Sequence, residues 1–203
     1  MMLFFINSFL ILFSFFISNN LIKLFILKLK GKFIDRPNFR SMHVIPTPSG
    51  GGIVFVFITI SSSLFYLIFN GYSNIYILPV LCIPLASIGI VDDLQKASSF
   101  LRYFFHVVTS SSILFISNLY MATISDIIYL NCLIFILITF IFTAIINFIN
   151  FMDGIDGLVG GSLFVSILGC CIYLKIGQPY LLLIGSLAAF ITWNWQPAKI
   201  FMG

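Results

Sequence analysis

Residues 127–157 read IIYLNCLIFILITFIFTAIINFINFMDGIDG. From Ile127 to Phe148 there is no charged side chain. A helix crosses the hydrocarbon core of a bilayer with roughly 20 apolar residues, so this run predicts one membrane span. The run then ends abruptly in Asn, Asp and Gly, which mark a helix terminus and turn. Apolar runs of the same kind recur near 3–22, 51–69, 75–91, 103–119, 158–174 and 179–196. The expected fold class is therefore all-α and integral to the membrane, a polytopic helical bundle of about seven transmembrane helices.

Composition agrees. Hydrophobic residues make up 61% of the 203-residue chain and charged residues 8%, with a mean hydropathy of +1.16. A soluble domain of this length needs a charged surface, and this chain has too little charge to build one. Cys82, Cys132, Cys170 and Cys171 sit in apolar runs without ligand spacing, which argues against a disulfide framework or a zinc site. The 25 Phe read as compositional bias. The first run reads as a span and not a cleaved signal, because no basic residue precedes it and no small-x-small site follows.

The ten basic residues set the orientation. With the N-terminus outside, the inner segments hold Lys28, Lys30, Lys32, Arg36, Arg40, Lys96, Arg102 and Lys199. The outer ones hold only Lys175, and Lys23 lies near the inner end of the first span. Cytoplasmic loops carry the Lys/Arg excess, so the C-terminus is expected in the cytoplasm. Acids contribute little to orientation, yet Asp35, Asp92, Asp93, Asp153 and Asp156 all fall on the same inner face, leaving only Asp126 outside. That clustering needs a chemical reason.

Four segments could supply it. The inner loop runs Asp35-Arg36-Pro37 through Arg40 and His43 to Pro46-Thr47-Pro48-Ser49-Gly50-Gly51-Gly52. Its X-Pro steps keep Ile45 and Thr47 extended. Its glycines allow close backbone approach. It lacks the phosphate-loop pattern GxxxxGK[ST] and on composition alone could be a solvated basic connection. Asp92-Asp93 closes the third span, followed by Lys96 and Arg102. Adjacent carboxylates repel unless a cation sits nearby, and a Mg²⁺ ion shared with substrate phosphates would resolve that. The alternative is a hydrated helix end. Asn147, Asn150, Asp153 and Asp156 recur every third residue, giving a slowly drifting polar face on a helix; turn residues are the plainer reading. The C-terminal Trp193-Asn194-Trp195 suits interfacial anchoring. His106, one turn beyond Arg102, reads as a hydrogen-bonded packing residue.

Together these segments resemble the polyprenyl-phosphate N-acetylhexosamine-1-phosphate transferases, a bacterial glycosyltransferase family 4 group, and specifically the O-antigen or teichoic-acid-initiating type. The resemblance rests on Asp35-x-Pro37…Arg40…His43…Pro48-x-Gly50-Gly51, Asp92-Asp93…Arg102, Asn147-x-x-Asn150-Phe-Met-Asp153-Gly-x-Asp156-Gly-Leu158, and Asn194-Trp-x-Pro-Ala-Lys-Ile-Phe-Met-Gly203. It implies transfer of N-acetylhexosamine 1-phosphate from a UDP-sugar to undecaprenyl phosphate, with release of UMP and Mg²⁺ or Mn²⁺ as cofactor. It implies catalytic roles for Asp92, Asp93, Asp153 and Asp156. Substrate binding would fall to Asp35, His43, Arg102, Asn147 and Asn150, and metal binding to Asn150 and Asp153. The lipid phosphate is already mostly ionised at neutral pH, so positioning and metal binding rank above proton abstraction for Asp92 and Asp93. The implied partners are UDP-N-acetylhexosamine, undecaprenyl phosphate and the lipid bilayer, with a homodimer open and no nucleic acid. The implied location is the bacterial inner membrane, with the active face cytoplasmic.

The chain also departs from that family. Members commonly have ten or eleven spans, and in them the Phe-Met-Gly step continues with a metal-binding Asp. Position 49, often basic, is Ser, and position 106, often Gln, is His. The expectation is a single transmembrane domain over 1–203, the N-terminal two-thirds of a longer transferase fold. The alternatives are a catalytically inactive membrane fragment and an ion transporter. The transporter is disfavoured because the acids sit at span ends and not at the midplane.

Overall fold

The computed structural model describes residues 2–29, 33–37, 45–117, 128–152 and 154–203. His43, Asp153, Arg40 and Asp126 lie outside the described residues. Eight helical segments appear among those described: α1 (Met2–Leu29), α2 (Gly52–Asn70), α3 (Asn74–Leu81), α4 (Ile83–Gln95), α5 (Ser99–Ser117), α6 (Ile128–Met152), α7 (Leu158–Leu174) and α8 (Tyr180–Asn194). Five stretches are long and apolar enough to cross a membrane, with α3 and α4 together forming one of them (Asn74–Gln95). The two shorter apolar helices, α7 and α8, occupy the remaining two expected positions. The polytopic helical fold read from the sequence is the fold observed.

Three details differ. The first helix runs past its expected end at 22 to Leu29, because the long stems of Lys23 and Lys28 let helix continue while their heads reach the polar layer. The third span is broken at Cys82. Pro84 lies in the first turn of α4 and has no N–H for a continuing helix. The inner loop is not wholly irregular. Ile34–Asp35 (β1) pairs antiparallel with Thr47–Pro48 (β2), opposing Asp35 to Thr47.

Lipid tails are as apolar as Leu, so helices in a bilayer associate through close packing and hydrogen bonds, not through the hydrophobic effect. This chain shows that on α8, the most buried helix, which packs most extensively on α1 and also on α7 and α2. A Cβ at Gly185 would run into the main-chain carbonyl of Ile11 and the Ser14 side chain. Ser14 and Ser18 on α1 are buried, and the Ser14 hydroxyl donates to the Leu182 carbonyl. Near the α8 C-terminus, Trp193 Nε1 donates to Asn19 Oδ1 at 2.7 Å. Elsewhere a seam of hydroxyls does the same work: Thr139 and Thr143 of α6 return hydrogen bonds to carbonyls four residues back, and Thr143 Oγ1 lies 3.5 Å from Ser110 Oγ of α5.

The backbone approach at Gly185 yields a test. Gly185→Ala should lower thermal stability in detergent by about 1–3 kcal/mol through overpacking. Gly169→Ala, at an open position on α7, should leave the unfolding midpoint unchanged. Equal midpoints for the two variants would contradict the α1–α8 packing.

Candidate active site

One end of the bundle gathers the C-terminal ends of α4, α6 and α8 with the N-terminal ends of α2 and α5. The first four N–H groups of a helix lack partners within it. At α2 they are met from the far end of the chain: Gly51 N donates to the Phe201 carbonyl at 2.9 Å and Gly52 N to the Met202 carbonyl at 2.8 Å. Phe201 N in turn donates to the Pro48 carbonyl at 2.8 Å. Glycine is required for this closeness. A Cβ at Gly51 would strike the Phe190 ring, and one at Gly52 would press on the Met202 carbonyl. Beneath these bonds, Ile22, Val54, Phe190 and Ile200 form a buried apolar cluster.

The closure carries Gly203 to the Asp93 carboxylate: a Cβ there would collide with Asp93 Oδ2 and with the Gly50 backbone. Asp92 and Asp93 occupy the last turn of α4, both half-buried. Adjacent helical positions point about 100° apart, and the two carboxylates differ accordingly. Asp92 Oδ2 accepts a hydrogen bond from Arg102 Nη1 at 3.2 Å. With both partners about one-third exposed, that pair adds at most about 1 kcal/mol to stability but fixes the guanidinium beside the acids. Asp93 lies within electrostatic reach of both Asp92 and Asp35. The β1–β2 ladder thus brings Asp35 to the α4 acids from some 60 residues away in sequence.

A cavity of about 130 Å³ opens here. It is lined by the polar side chains of Asp92, Asp93, Arg102, His106 and Asn150, by Gly89 and Gly203, and by the apolar Leu85, Ile88 and Ile146. The arrangement places acid, base-paired acid, guanidinium and amide around one space at the boundary of the apolar bundle. That combination suits an anionic group accompanied by a cation. Among the described residues no three His, Cys or Asp side chains are close enough to hold a metal by themselves.

The predicted Asn/Asp face does not stay together. Each step of three residues turns 60° short of a full circle, so Asn150 lines the cavity while Asn147 is exposed and does not. Helix α6 ends at Met152, and the following turn sends Asp156 elsewhere: its Oδ2 accepts from Ala198 N at 3.0 Å. Asp156 therefore ties the C-terminal segment to the α6–α7 turn.

The sequence reading gave too little weight to Asn194. Buried at the end of α8, it accepts from Gly157 N at 2.9 Å through Oδ1 and donates to the Ile200 carbonyl at 2.9 Å through Nδ2. Its sequence signal was a carboxamide within an otherwise apolar helix end. The Trp pair reads differently too. Trp193 is partly buried, with Lys199 Nζ 5.6 Å from its ring centre, and only Trp195 is exposed. His106 is buried, and its Nδ1 has no hydrogen-bond partner among the described residues, contrary to the satisfied packing residue expected.

Comparison with known proteins gives the family. The family described as Glycosyl transferase family 4 matches residues 75–203. An undecaprenyl-phosphate alpha-N-acetylglucosaminyl 1-phosphate transferase of Thermotoga maritima is 30% identical over 175 residues, covering 86% of this chain and 52% of the relative. A phospho-N-acetylmuramoyl-pentapeptide-transferase of Dictyoglomus thermophilum is 31% identical over 171 residues, covering 77% and 54%. One of that name from Staphylococcus epidermidis is 30% identical over 190 residues, covering 77% and 57%. The chain spans about half the length of the curated relatives it matches.

Asn194→Leu removes both side-chain bonds, to Gly157 N and to the Ile200 carbonyl, that link the 195–203 segment to the α6–α7 turn through α8. It should destabilise the protein by about 1–3 kcal/mol for each buried group left unpaired and speed proteolysis within 195–203. An unchanged unfolding midpoint and digestion pattern would contradict the tether.

Proposed function

The chain belongs to glycosyl transferase family 4, and on that premise we propose that it transfers an N-acetylhexosamine 1-phosphate from a UDP-sugar to undecaprenyl phosphate. UMP is the second product, and the lipid-linked sugar starts a cell-envelope glycan. The observation that carries this reading is the cavity at the charged end of the bundle, lined by acidic, cationic and apolar side chains together. A nucleotide sugar comes from water and a polyprenyl phosphate from lipid, and such a lining suits the phosphate ends of both. The gathering of basic residues supports a cytoplasmic position for this end, at the inner membrane of a bacterium.

The chemistry needs little from a proton acceptor. An oxygen of the lipid phosphate attacks the phosphorus attached to the sugar. The new P–O bond forms as the bond to the UMP oxygen breaks, and UMP leaves with that electron pair. The attacking monoester is mostly ionised already, and Asp92 is engaged by Arg102. Arg102 orients a phosphate oxygen, Asp93 and Asp92 organise the cationic side of the diphosphate, and Asn150 contributes an amide from α6. Asp35 contributes charge from the loop side, while His43 and Asp153, outside the described residues, and Asn147 and Asp156 remain candidates for nucleotide or sugar contacts.

The residues fit a divalent cation. Mg²⁺ usually binds one or two carboxylates and completes its shell with water and substrate phosphates, so a three-residue protein cage is not needed. Asp93, with Asn150 and Asp153, would hold it, and the carboxylate charges gathered at Asp93 favour a cation there. When bound, Mg²⁺ or Mn²⁺ neutralises the diphosphate and stabilises the departing UMP.

The half-length match favours a second reading, in which these residues insert and bind substrate but do not turn over alone. One experiment separates the two. Membranes containing the 203-residue chain are supplied with labelled UDP-N-acetylglucosamine and undecaprenyl phosphate. Lipid-linked label that disappears with EDTA and returns with Mg²⁺ supports the transferase. Asp93→Asn and Arg102→Ala should each cut the rate on the order of 10²–10³-fold, the effect of losing one preorganised charge. No label from correctly inserted wild-type chain supports the second reading.

A further inference from the structure

Lys23 and Lys199 lie outside the cavity and gather at a different place on the charged end. There Trp193 Nε1 of α8 donates to Asn19 Oδ1 of α1 at 2.7 Å, which fixes the indole ring against α1. Lys199 returns to the same residue. Its N donates to the Trp193 carbonyl at 2.8 Å, and its Nζ stands 5.6 Å from the ring centre. Lys23 is four residues beyond Asn19, on the same face of α1 and one turn, about 6 Å, further along it. The chain neighbours of the two lysines also meet, because Ile22 and Ile200 belong to one buried cluster with Trp193 packed against it. None of Asn19, Lys23, Trp193 and Lys199 lines the cavity that holds Asp93 and Arg102.

The charge at this place is unbalanced. Both lysines are exposed, and among the described residues the ion pair formed is Arg102 with Asp92. Neither ammonium group therefore has a carboxylate at ion-pair distance there. Asp156, the acid held beside Lys199 in sequence, accepts from Ala198 N. Two like charges gathered at one indole repel, and an anion shared between them relieves the repulsion.

The surface below the lysines indicates what carries the anion. Leu12, Phe16, Asn19 and Lys23 are spaced by four, three and four residues, so they form one stripe along α1. Leu12 and Phe16 are exposed, and all four fall in the membrane-crossing stretch Phe5–Lys28. The stripe is apolar within the bilayer and cationic at its end. A free phosphate ion would meet only the cationic end. A phospholipid with a negative headgroup covers both parts.

We propose that Lys23, Lys199 and the Trp193 ring form a headgroup site for an anionic phospholipid, with its phosphodiester on the two ammonium groups and an acyl chain along Phe16 and Leu12. The site does not depend on the transferase reading, because it uses none of the cavity residues. The Asn19 bond holds the ring before any lipid arrives, which lowers the ordering cost of binding. Lysines at a membrane surface attract anionic lipid, and the fixed ring turns that general attraction into a defined place.

The test uses Trp193 as its reporter. The chain has two tryptophans, so Trp195→Phe leaves Trp193 as the single indole. This variant is reconstituted in phosphatidylcholine vesicles holding a small fraction of phosphatidylglycerol brominated near the headgroup end of its chains. A parallel set holds the same fraction of brominated phosphatidylcholine. Bromine quenches an indole it touches. Phosphatidylglycerol should occupy the site roughly tenfold or more in preference to phosphatidylcholine, and Lys23→Gln or Lys199→Gln should each cut that preference roughly fivefold. Lys28→Gln removes the same charge from the same helix, but five residues on and so about 140° around it. It should leave the preference unchanged, and millimolar inorganic phosphate should not relieve the quenching. Equal quenching by the two lipids overturns the proposal. So does a preference that survives both Lys23→Gln and Lys199→Gln, one that Lys28→Gln lowers as much, or relief by inorganic phosphate. Should Trp195→Phe not fold, native mass spectrometry of the unaltered chain decides the same question. It should retain phosphatidylglycerol over phosphatidylcholine and lose that selectivity with Lys23→Gln and Lys199→Gln combined; unchanged selectivity overturns the site.

Discussion

Two backbone N–H groups at the start of α2 govern the charged end of this protein. Near a membrane, an unpaired donor has few sources of compensation. Gly51 and Gly52 solve the problem with the carbonyls of Phe201 and Met202. The solution has consequences beyond its own hydrogen bonds. It draws the last residues across the bundle and brings Gly203 to Asp93. It also positions Ile200 in the apolar cluster under the site. Asn194 and Asp156 then anchor the same segment to the α6–α7 turn. Several polar residues at this end therefore act as framework for the cavity rather than as its walls.

The rest of the bundle follows the same economy of polar groups within an apolar solvent. Small residues and returned hydroxyl bonds let α8 lie against α1, and α5 against α6. The α5–α6 seam sets the spacing between Arg102 and Asn150, which both line the cavity near the ends of those helices. The seam is thus a structural requirement of the site and not only of the fold. His106 Nδ1 is buried without a partner among the described residues, as are the hydroxyls of Ser18, Ser63 and Thr109.

Family membership and geometry meet at Asp92 and Asp93. The relatives include proteins named for an N-acetylglucosaminyl 1-phosphate and for a phospho-N-acetylmuramoyl-pentapeptide. Both names describe phosphate groups moved with a sugar. The cavity is lined by an Arg102 guanidinium held by Asp92 and by a second carboxylate, Asp93, in the field of Asp92 and Asp35. It offers little that would read one sugar from another among the described residues.

The spans were legible in the sequence because membrane insertion is a nearly one-dimensional property: roughly 20 apolar residues make a span wherever they occur. The sequence also carries an orientation signal, since Lys and Arg segregate by loop. The nearness of Asp35, Asp92, Asp93 and Arg102 to one end followed from counting spans. What only the tertiary structure decided was direction and partnership. Asn147 and Asn150 share a spacing rule, but only Asn150 reaches the cavity. Asp156 looked equivalent to them and instead holds Ala198. Asn194 looked like part of an interfacial anchor and is a buried clasp. His106 looked like hydrogen-bonded packing and has a buried Nδ1 without a partner among the described residues. The physical reason is common to all four. Hydropathy places a residue at a depth, but where its side chain points depends on where the helix ends and on hydrogen bonds between segments as distant as Gly51 and Phe201.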